Sequence, residues 1–143
     1  MKYFLIFFLI LMSCAQNNQQ KKDVFRYNEH KNIGSLDPAF AKDNADIWAI
    51  NQLFNGLVQM NNDLNVEPCI AKSWTVSDNG QSYTFLLHND VSFHKHALFG
   101  KDSTRKVKAS DFTYSLNRLK NKKIASSGSW VLNKVDRFYA VND

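Results

Sequence analysis

Three histidines are the side chains of this sequence best suited to chemistry. His94 and His96 lie two residues apart, so on an extended strand both imidazoles would point to one side, and His88 is close in sequence. Two imidazoles can bind Zn²⁺ or Cu²⁺, but a stable site needs further ligands, and no Cys, Asp or Glu cluster accompanies them. A solvated turn is therefore the favoured interpretation of the pair, and a metal site is the alternative.

The serines of the sequence give no support for catalysis. Ser110 precedes Asp111, and residues 126–129 contain three serines, but neither stretch forms a G-x-S-x-G elbow with an evident base. The glycine motifs that cradle phosphates in nucleotide-binding proteins are absent as well. The sequence thus predicts a protein that is not an enzyme, with no catalytic residue, no metal and no cofactor.

The N-terminal segment predicts where the protein works. After Lys2 comes an apolar run of ten residues from Tyr3 to Met12, whereas a membrane-spanning helix needs about 20. A basic start followed by a short apolar region is typical of a signal peptide. Residues 11–14 also resemble the lipobox of bacterial lipoproteins, in which the cysteine is lipidated after cleavage; an ordinary signal peptide is the alternative. The predicted organisation is a lipoprotein signal peptide over residues 1–13, a lipidated Cys14, and a flexible tether over residues 14–22.

Positive charge is concentrated between residues 95 and 123. This segment contains nine Lys or Arg residues against Asp102 and Asp111, whereas the whole chain has a net charge of +5. Such a patch can contact nucleic acid, anionic lipid or a protein partner. For a protein outside the cytoplasm we favour a solvated face, and we predict no nucleic-acid partner.

Hydrophobic periodicity predicts an α+β fold with a small antiparallel sheet and helices packed against it. The alternation over residues 24–28 predicts a first strand, and Asp43-Asn44 can cap a helix that Gly56 would end. The other predicted elements are a strand over residues 57–60, a hairpin over residues 73–87 turned at Asn79-Gly80, a helix with Ala109, Phe112, Leu116 and Leu119 on one face, and a last helix over residues 130–138.

Five short motifs resemble, in the same order, those of the family 5 extracytoplasmic solute-binding proteins, the peptide/nickel group of ABC importers. They are Ser35 to Ala39, Gln52 to Leu57, Pro68 to Trp74, Gly80 to His94, and Val107 to Arg118. Two departures stand out. The family's short Asp-Gly turn after Phe93 is replaced by a longer basic loop, expected to be mobile, and Lys108 replaces a threonine helix cap, which makes Ser110 the predicted cap.

The resemblance implies the N-terminal part of a two-lobed periplasmic-binding-protein fold of type II-like form. Residues 23–143 would be an incomplete N-terminal lobe, because members of the family run to several hundred residues in two lobes that close over the ligand. The second lobe and the main ligand-anchoring residues would lie beyond residue 143. We therefore expect the isolated chain to expose an apolar edge and to be marginally stable.

The resemblance also implies a function. The chain would belong to the substrate-binding component of an ABC importer, lipid-anchored in the cell membrane, periplasmic or on the cell surface. It would capture oligopeptides or dipeptides for a permease and its ATPase subunits. The alternatives are another solute, such as a nickel chelate, or a non-transport lipoprotein used for adhesion or assembly.

In the family, the turn into the first helix faces the ligand cleft. The corresponding residues here are Asp43, Asn44, Ala45, Asp46 and Trp48. Backbone amides at a helix start can receive a ligand carbonyl or carboxylate. Helix capping by Asn44 and Asp46, and core packing of Trp48, are the alternative roles.

Overall fold

The computed structural model describes Val24 and residues 26–142. The predicted signal peptide, Cys14 and tether lie outside these residues. The chain divides into two compact units, residues 1–30 and residues 31–143. In the first unit, Val24 and residues 26–28 are all exposed and belong to no strand, so for these residues the predicted first strand is wrong. Their alternation does not mark a buried face, and burial of one face is what period-two patterning signals.

Two antiparallel β-hairpins form the sheet part of the second unit. Strand β1 (Val58–Met60) pairs with β2 (Val66–Pro68), and β3 (Ala71–Val76) pairs with β4 (Tyr83–Leu87). On the second hairpin the rings of Trp74 and Phe85 are directly opposite, with centroids 6.4 Å apart. The α+β class and this hairpin are confirmed, although the predicted single sheet is two separate pairs of strands.

The polar residues of each turn close the hairpins. The Asn61 side chain accepts hydrogen bonds from the backbone N–H groups of Asp63 and Asn65, both at 3.0 Å. In the other turn Gly80 has φ 69°, a left-handed conformation that costs glycine little. Between the hairpins, the N–H of Ala71 donates to the carbonyl of Leu57 at 2.9 Å, so the two hairpins are joined through the backbone.

Helix α1 comprises Asn44–Asn51, and it is shorter than predicted. The prediction that Gly56 ends it is wrong. Gly56 lies beyond the helix, and a Cβ placed on it would come within 2.9 Å of the Val58 carbonyl oxygen. The absence of a side chain on Gly56 therefore permits this close approach of the backbone before β1. This steric requirement, and not helix capping, accounts for the glycine.

Helix α2 comprises Ala109–Lys120 and confirms the predicted helix after the basic segment. Short 3-10 helices occur at Pro38–Phe40, Ala97–Asp102 and Ser129–Leu132. The predicted last helix over residues 130–138 is wrong beyond Leu132. Past that point the carbonyls of Val135 and Asp136 accept hydrogen bonds from the Lys120 ammonium, at 2.5 and 2.8 Å.

The buried apolar core of the described residues is small. It consists of Ala39, Ala45, Ile50, Ile70 and Ala71, and no large side chain among the described residues is fully buried. Many large apolar side chains are exposed instead, among them Tyr114 at 72% and Trp130 at 70%. The apolar edge and the marginal stability expected from the sequence stay predictions. None of the described helices has the length and apolar character needed to cross a membrane.

Candidate functional site

Asp43 begins helix α1 in the manner predicted. Its backbone is extended, at φ −139°, and its carboxylate accepts a hydrogen bond from the N–H of Asp46 at 3.4 Å. The same carboxylate accepts from the Lys31 ammonium at 2.5 Å. This hydrogen bond from Lys31 holds the pKa of Asp43 below its ordinary value. Asp43 is thus a helix cap with a cation beside it, at the start of the predicted site.

Asp46 anchors a loop to the same helix turn. It is only 4% exposed, and its carboxylate accepts backbone hydrogen bonds from Gly34 at 2.8 Å, Ser35 at 3.4 Å and Lys42 at 3.3 Å. Three N–H groups of the 34–42 loop therefore converge on one buried side chain. The Asp46 carboxylate therefore has its hydrogen-bond donors within the protein, and it positions the loop against α1.

An ion pair joins the 34–42 loop to helix α2. The Arg118 guanidinium donates two hydrogen bonds to the Asp37 carboxylate, at 2.7 and 2.6 Å. The pKa of Asp37 is lowered, chiefly by these bonds from Arg118. Arg118 also lies over the Phe40 ring, 5.9 Å from its centroid. The pair connects the first and last of the five motifs, and sequence spacing could not reveal it because its residues are 81 positions apart.

The five predicted site residues lie in the first part of α1, with Trp48 one turn beyond Asn44, but they differ in access to solvent. Asn44 and Trp48 are exposed, Trp48 at 58%, and Asp43 is half-buried. The side chains of Ala45 and Asp46 are buried, each at 4% exposure. A ligand outside the protein can therefore reach the side chains of Asp43, Asn44 and Trp48, whereas those of Ala45 and Asp46 support the turn from within.

The loop expected to be a mobile excursion is folded on itself. We call residues 95–108 the basic loop. Arg105 donates to both Asp111 carboxylate oxygens at 2.8 and 2.6 Å, and its guanidinium lies over the Phe93 ring, 4.6 Å from the centroid. The N–H of His96 donates to the Ser103 carbonyl at 2.6 Å, which pairs the two arms of the loop. The loop thus has a defined shape held by one arginine.

The start of helix α2 differs from the prediction. Lys108, not Ser110, is the residue that precedes the helix, and Ser110 lies inside its first turn. The Asp111 carboxylate accepts the backbone N–H of Lys108 at 2.9 Å. The bonds from Arg105 are the main cause of the lowered pKa of Asp111. The predicted cap is therefore wrong, because Ser110 lies within the first turn, and the residue before the helix, Lys108, gives no side-chain cap hydrogen bond.

Of the three histidines, His96 lies in this loop and has a structural role there. His96 accepts a hydrogen bond at Nδ1 from the N–H of Leu98 at 3.2 Å and so begins the 3-10 helix of the loop. Across Val24 and residues 26–142 there is no group of three His, Cys, Asp or Glu side chains placed to hold a metal ion.

More than half of the sequence matches a known family. The model of the bacterial extracellular solute-binding proteins, family 5 Middle, matches residues 65–143, which is more than half of the chain. The chain belongs to this family. The family assignment made from the five motifs is therefore confirmed.

The relatives of this family 5 chain are solute-binding proteins whose names give different ligands. It is 31% identical over 105 residues to the probable deoxycholate-binding periplasmic protein YgiS of Escherichia coli (strain K12), covering 73% of this chain and 18% of YgiS. It is 25% identical over 133 residues to the dipeptide-binding protein DppE of Bacillus subtilis (strain 168), covering 85% of this chain and 23% of DppE.

A solved structure shows the same fold. The crystal structure of NikZ from Campylobacter jejuni in complex with Ni(L-His) superimposes with a TM-score of 0.64 at 27% identity, covering 78% of this chain and 21% of NikZ. The chain therefore spans about a fifth of the length of these three relatives. The periplasmic-binding-protein fold implied by the motifs is confirmed for this part of the family.

Proposed function

We propose that this chain is part of the substrate-binding component of an ABC importer, which captures oligopeptides or dipeptides outside the cytoplasm and delivers them to its permease. The observation that carries the proposal is the family match over residues 65–143. Similarity to the dipeptide-binding DppE over 85% of this chain supports a peptide ligand. The ligand of NikZ also contains an amino acid, L-histidine, so an amino-acid backbone is the chemistry that both relatives share.

The proposed contact surface is the outer side of the first two turns of α1, where Asn44 and Trp48 are four residues apart and so share a face. Because the Asp43 carboxylate already accepts the N–H of Asp46, we assign ligand contact to side chains and not to free amides. The Asn44 amide can both donate to and accept from a peptide backbone. The exposed ring of Trp48 gives an apolar platform beside it. Ala45 and Asp46 then act as buried supports of this surface.

The remaining parts of the proposal concern location and partners. A signal peptide over residues 1–13 and a lipid on Cys14 would place the protein on a membrane, outside the cytoplasm. The periplasmic names of YgiS and of other relatives support this location. The importer's permease would be the direct partner, with the ATPase subunits behind it, and closure of two lobes about the ligand would produce the form that docks.

A nickel chelate is the second candidate ligand. The observation that favours it is the likeness to NikZ, whose structure holds Ni(L-His). In that case the amino acid of the complex, and not the metal, would contact this chain, since the described residues offer no metal-ligand cluster of their own. The polar edge of Asn44 could serve either ligand.

Native mass spectrometry of the protein tests the proposal. The protein, with Cys14→Ser to prevent lipidation, is purified without refolding. We expect bound peptides of a few residues that are lost on denaturation. An empty protein that gains no thermal stability from a mixed peptide pool, but does from a nickel–histidine complex, would replace the peptide by the chelate. No gain from either would contradict solute capture.

Matched variants test the contact surface separately. Trp48→Ala and Asn44→Ala should each weaken peptide binding by about tenfold, because the first removes a stacking platform and the second removes a hydrogen-bonding group. The controls are Trp130→Ala, another exposed tryptophan at 70%, and Asn62→Ala, an exposed asparagine in the β1–β2 turn. Equal losses of peptide affinity in the test variants and the controls would show that the start of α1 is not the contact surface. They would not contradict the proposed function.

A further inference from the structure

The basic loop presents one apolar side chain to solvent in an unusual way. Leu98 lies in its 3-10 helix and is 89% exposed. The neighbouring Phe99 is less exposed, because its ring packs against the Phe93 ring, with centroids 5.6 Å apart, and lies beneath the Arg105 guanidinium. The loop thus packs Phe99 partly against its own residues and leaves Leu98 exposed.

Positive charge surrounds this leucine. Lys95 and Lys101 lie on the two sides of it in sequence, and Lys106 lies at the base of the loop, in the bridge to Ser92. All three lysines are exposed, and within the described part of the chain none of them forms an ion pair. Arg105 is different, because Asp111 neutralises it. The unpaired charges nearest Leu98 are therefore three lysines against one exposed carboxylate, Asp102, while the arginine sets the shape of the loop.

An exposed apolar side chain among unpaired lysines has the chemistry of a membrane-surface contact. Binding of a peripheral segment to a bilayer grows with the apolar area it inserts and with its attraction to anionic lipids. Lysine stems are long enough to lie along the lipid while the ammonium group reaches a phosphate. Nucleic acid would offer phosphates as well, but the proposed location outside the cytoplasm favours a lipid surface.

We propose that the basic loop docks on the surface of an anionic phospholipid bilayer, with Leu98 inserted among the headgroups and Lys95, Lys101 and Lys106 against the phosphates. This contact goes beyond solute capture and does not require a lipid on Cys14. With the N-terminal tether it would give the protein a second point of attachment, which would orient the rest of the molecule on the membrane.

Vesicle binding by the full chain with Cys14→Ser tests the proposal. The apolar run over residues 3–12 is expected to bind any bilayer, so the measured quantity is the affinity for vesicles of phosphatidylglycerol and phosphatidylcholine divided by that for pure phosphatidylcholine. Lys95→Gln and Lys101→Gln should each lower this ratio by about fivefold. The matched controls, Lys72→Gln and Lys134→Gln, change exposed lysines elsewhere and should leave it unchanged. Equal losses in all four variants would overturn the proposal.

A probe at the leucine itself reports on the loop and not on the N-terminus. Leu98→Trp should shift its added fluorescence to the blue on anionic vesicles and be quenched by brominated lipid, and high salt should reverse both effects. Leu98→Ser should weaken binding to the anionic vesicles by about tenfold. No quenching of Leu98→Trp would overturn the proposal, and so would lysine-dependent binding to a single-stranded RNA oligonucleotide with no binding to anionic vesicles.

Discussion

The 34–42 loop and the basic loop are each held by a two-point pair between an arginine and an aspartate, and the two pairs work over different distances. Arg118 reaches Asp37 across 81 positions of sequence, whereas Arg105 and Asp111 are six apart. The first pair fastens a loop to a distant helix, and a buried carboxylate, Asp46, fastens the same loop a second time. The basic loop has no buried carboxylate of this kind. Its further supports are local, namely the stacking of Arg105 on Phe93 and the backbone hydrogen bond from His96 to Ser103.

The difference shows which loop depends on the rest of the fold. Loss of the 34–42 loop's anchors would release the turn that carries the proposed ligand contacts, because Asp46 belongs to that turn. Loss of Arg105 would change only the shape of a surface projection. The position of the 34–42 loop thus depends on tertiary contacts, whereas the shape of the basic loop depends on residues near it in sequence.

The largest expected effect comes from the buried anchor. Asp46→Ala should lower the free energy of unfolding by about 3 kcal/mol, since three backbone N–H groups lose their charged acceptor. Urea denaturation measures this loss. Asp63→Ala, in the exposed β1–β2 turn, is the control and should cost less than about 0.5 kcal/mol. Similar losses for both variants would mean that the 34–42 loop does not depend on Asp46.

Acid should weaken both arginine–aspartate pairs together. The arginines lower the pKa of Asp37 and of Asp111 in the folded chain. Each pair therefore stabilises the fold above the pKa of an unfolded aspartate, about 4, and this contribution is lost as the pH falls through the lower folded-state pKa. Thermal unfolding followed between neutral pH and pH 3 checks this. In the double variant Asp37→Asn, Asp111→Asn, the loss of thermal stability at low pH should be smaller than in the unchanged protein. An unchanged profile would mean that other carboxylates cause this loss.

Single substitutions separate the two pairs. Arg118→Gln should lower Tm by roughly 2–5 °C, and Arg105→Gln by less, because the latter removes contacts that are mostly local. Hydrogen exchange at the Ala39 amide, which donates to Asp37, should rise only in Arg118→Gln. Arg118→Lys should restore little, since lysine lacks the two-point geometry. A larger Tm loss for Arg105→Gln would reverse the comparison.

These contacts also mark the limit of what the sequence could predict. The β3–β4 hairpin and α2 follow from local patterns, namely Asn79-Gly80 at a turn and apolar residues at helical spacing. The Asp37–Arg118 pair has no local pattern, although both residues lie in motifs of the family. Asp46 was predicted among the ligand contacts because it lies in the first turn of a helix; its burial depends on the amides of a loop that folds back from residue 34.

The smallest expected effect concerns how the two helices begin. Helix α1 starts at a side-chain cap, Asp43, whereas α2 starts at Lys108, whose ammonium cannot accept a hydrogen bond. Lys108→Thr should therefore raise the free energy of unfolding by about 0.5 kcal/mol, because a hydroxyl can accept the N–H of Asp111. That N–H now donates to the Lys108 carbonyl at 3.1 Å, so the gain stays small.

Lys108→Ala is the control for that substitution, since it removes the same charge without supplying an acceptor. Urea denaturation of the two variants should place Lys108→Thr above Lys108→Ala. If both gained stability equally, relief of charge repulsion within the basic loop would be the cause, and α2 would need no side-chain cap beyond the Asp111 carboxylate. If neither gained, the Asp111 carboxylate already supplies what Asp43 supplies to α1, and the two helix starts would be equivalent in energy despite their different residues.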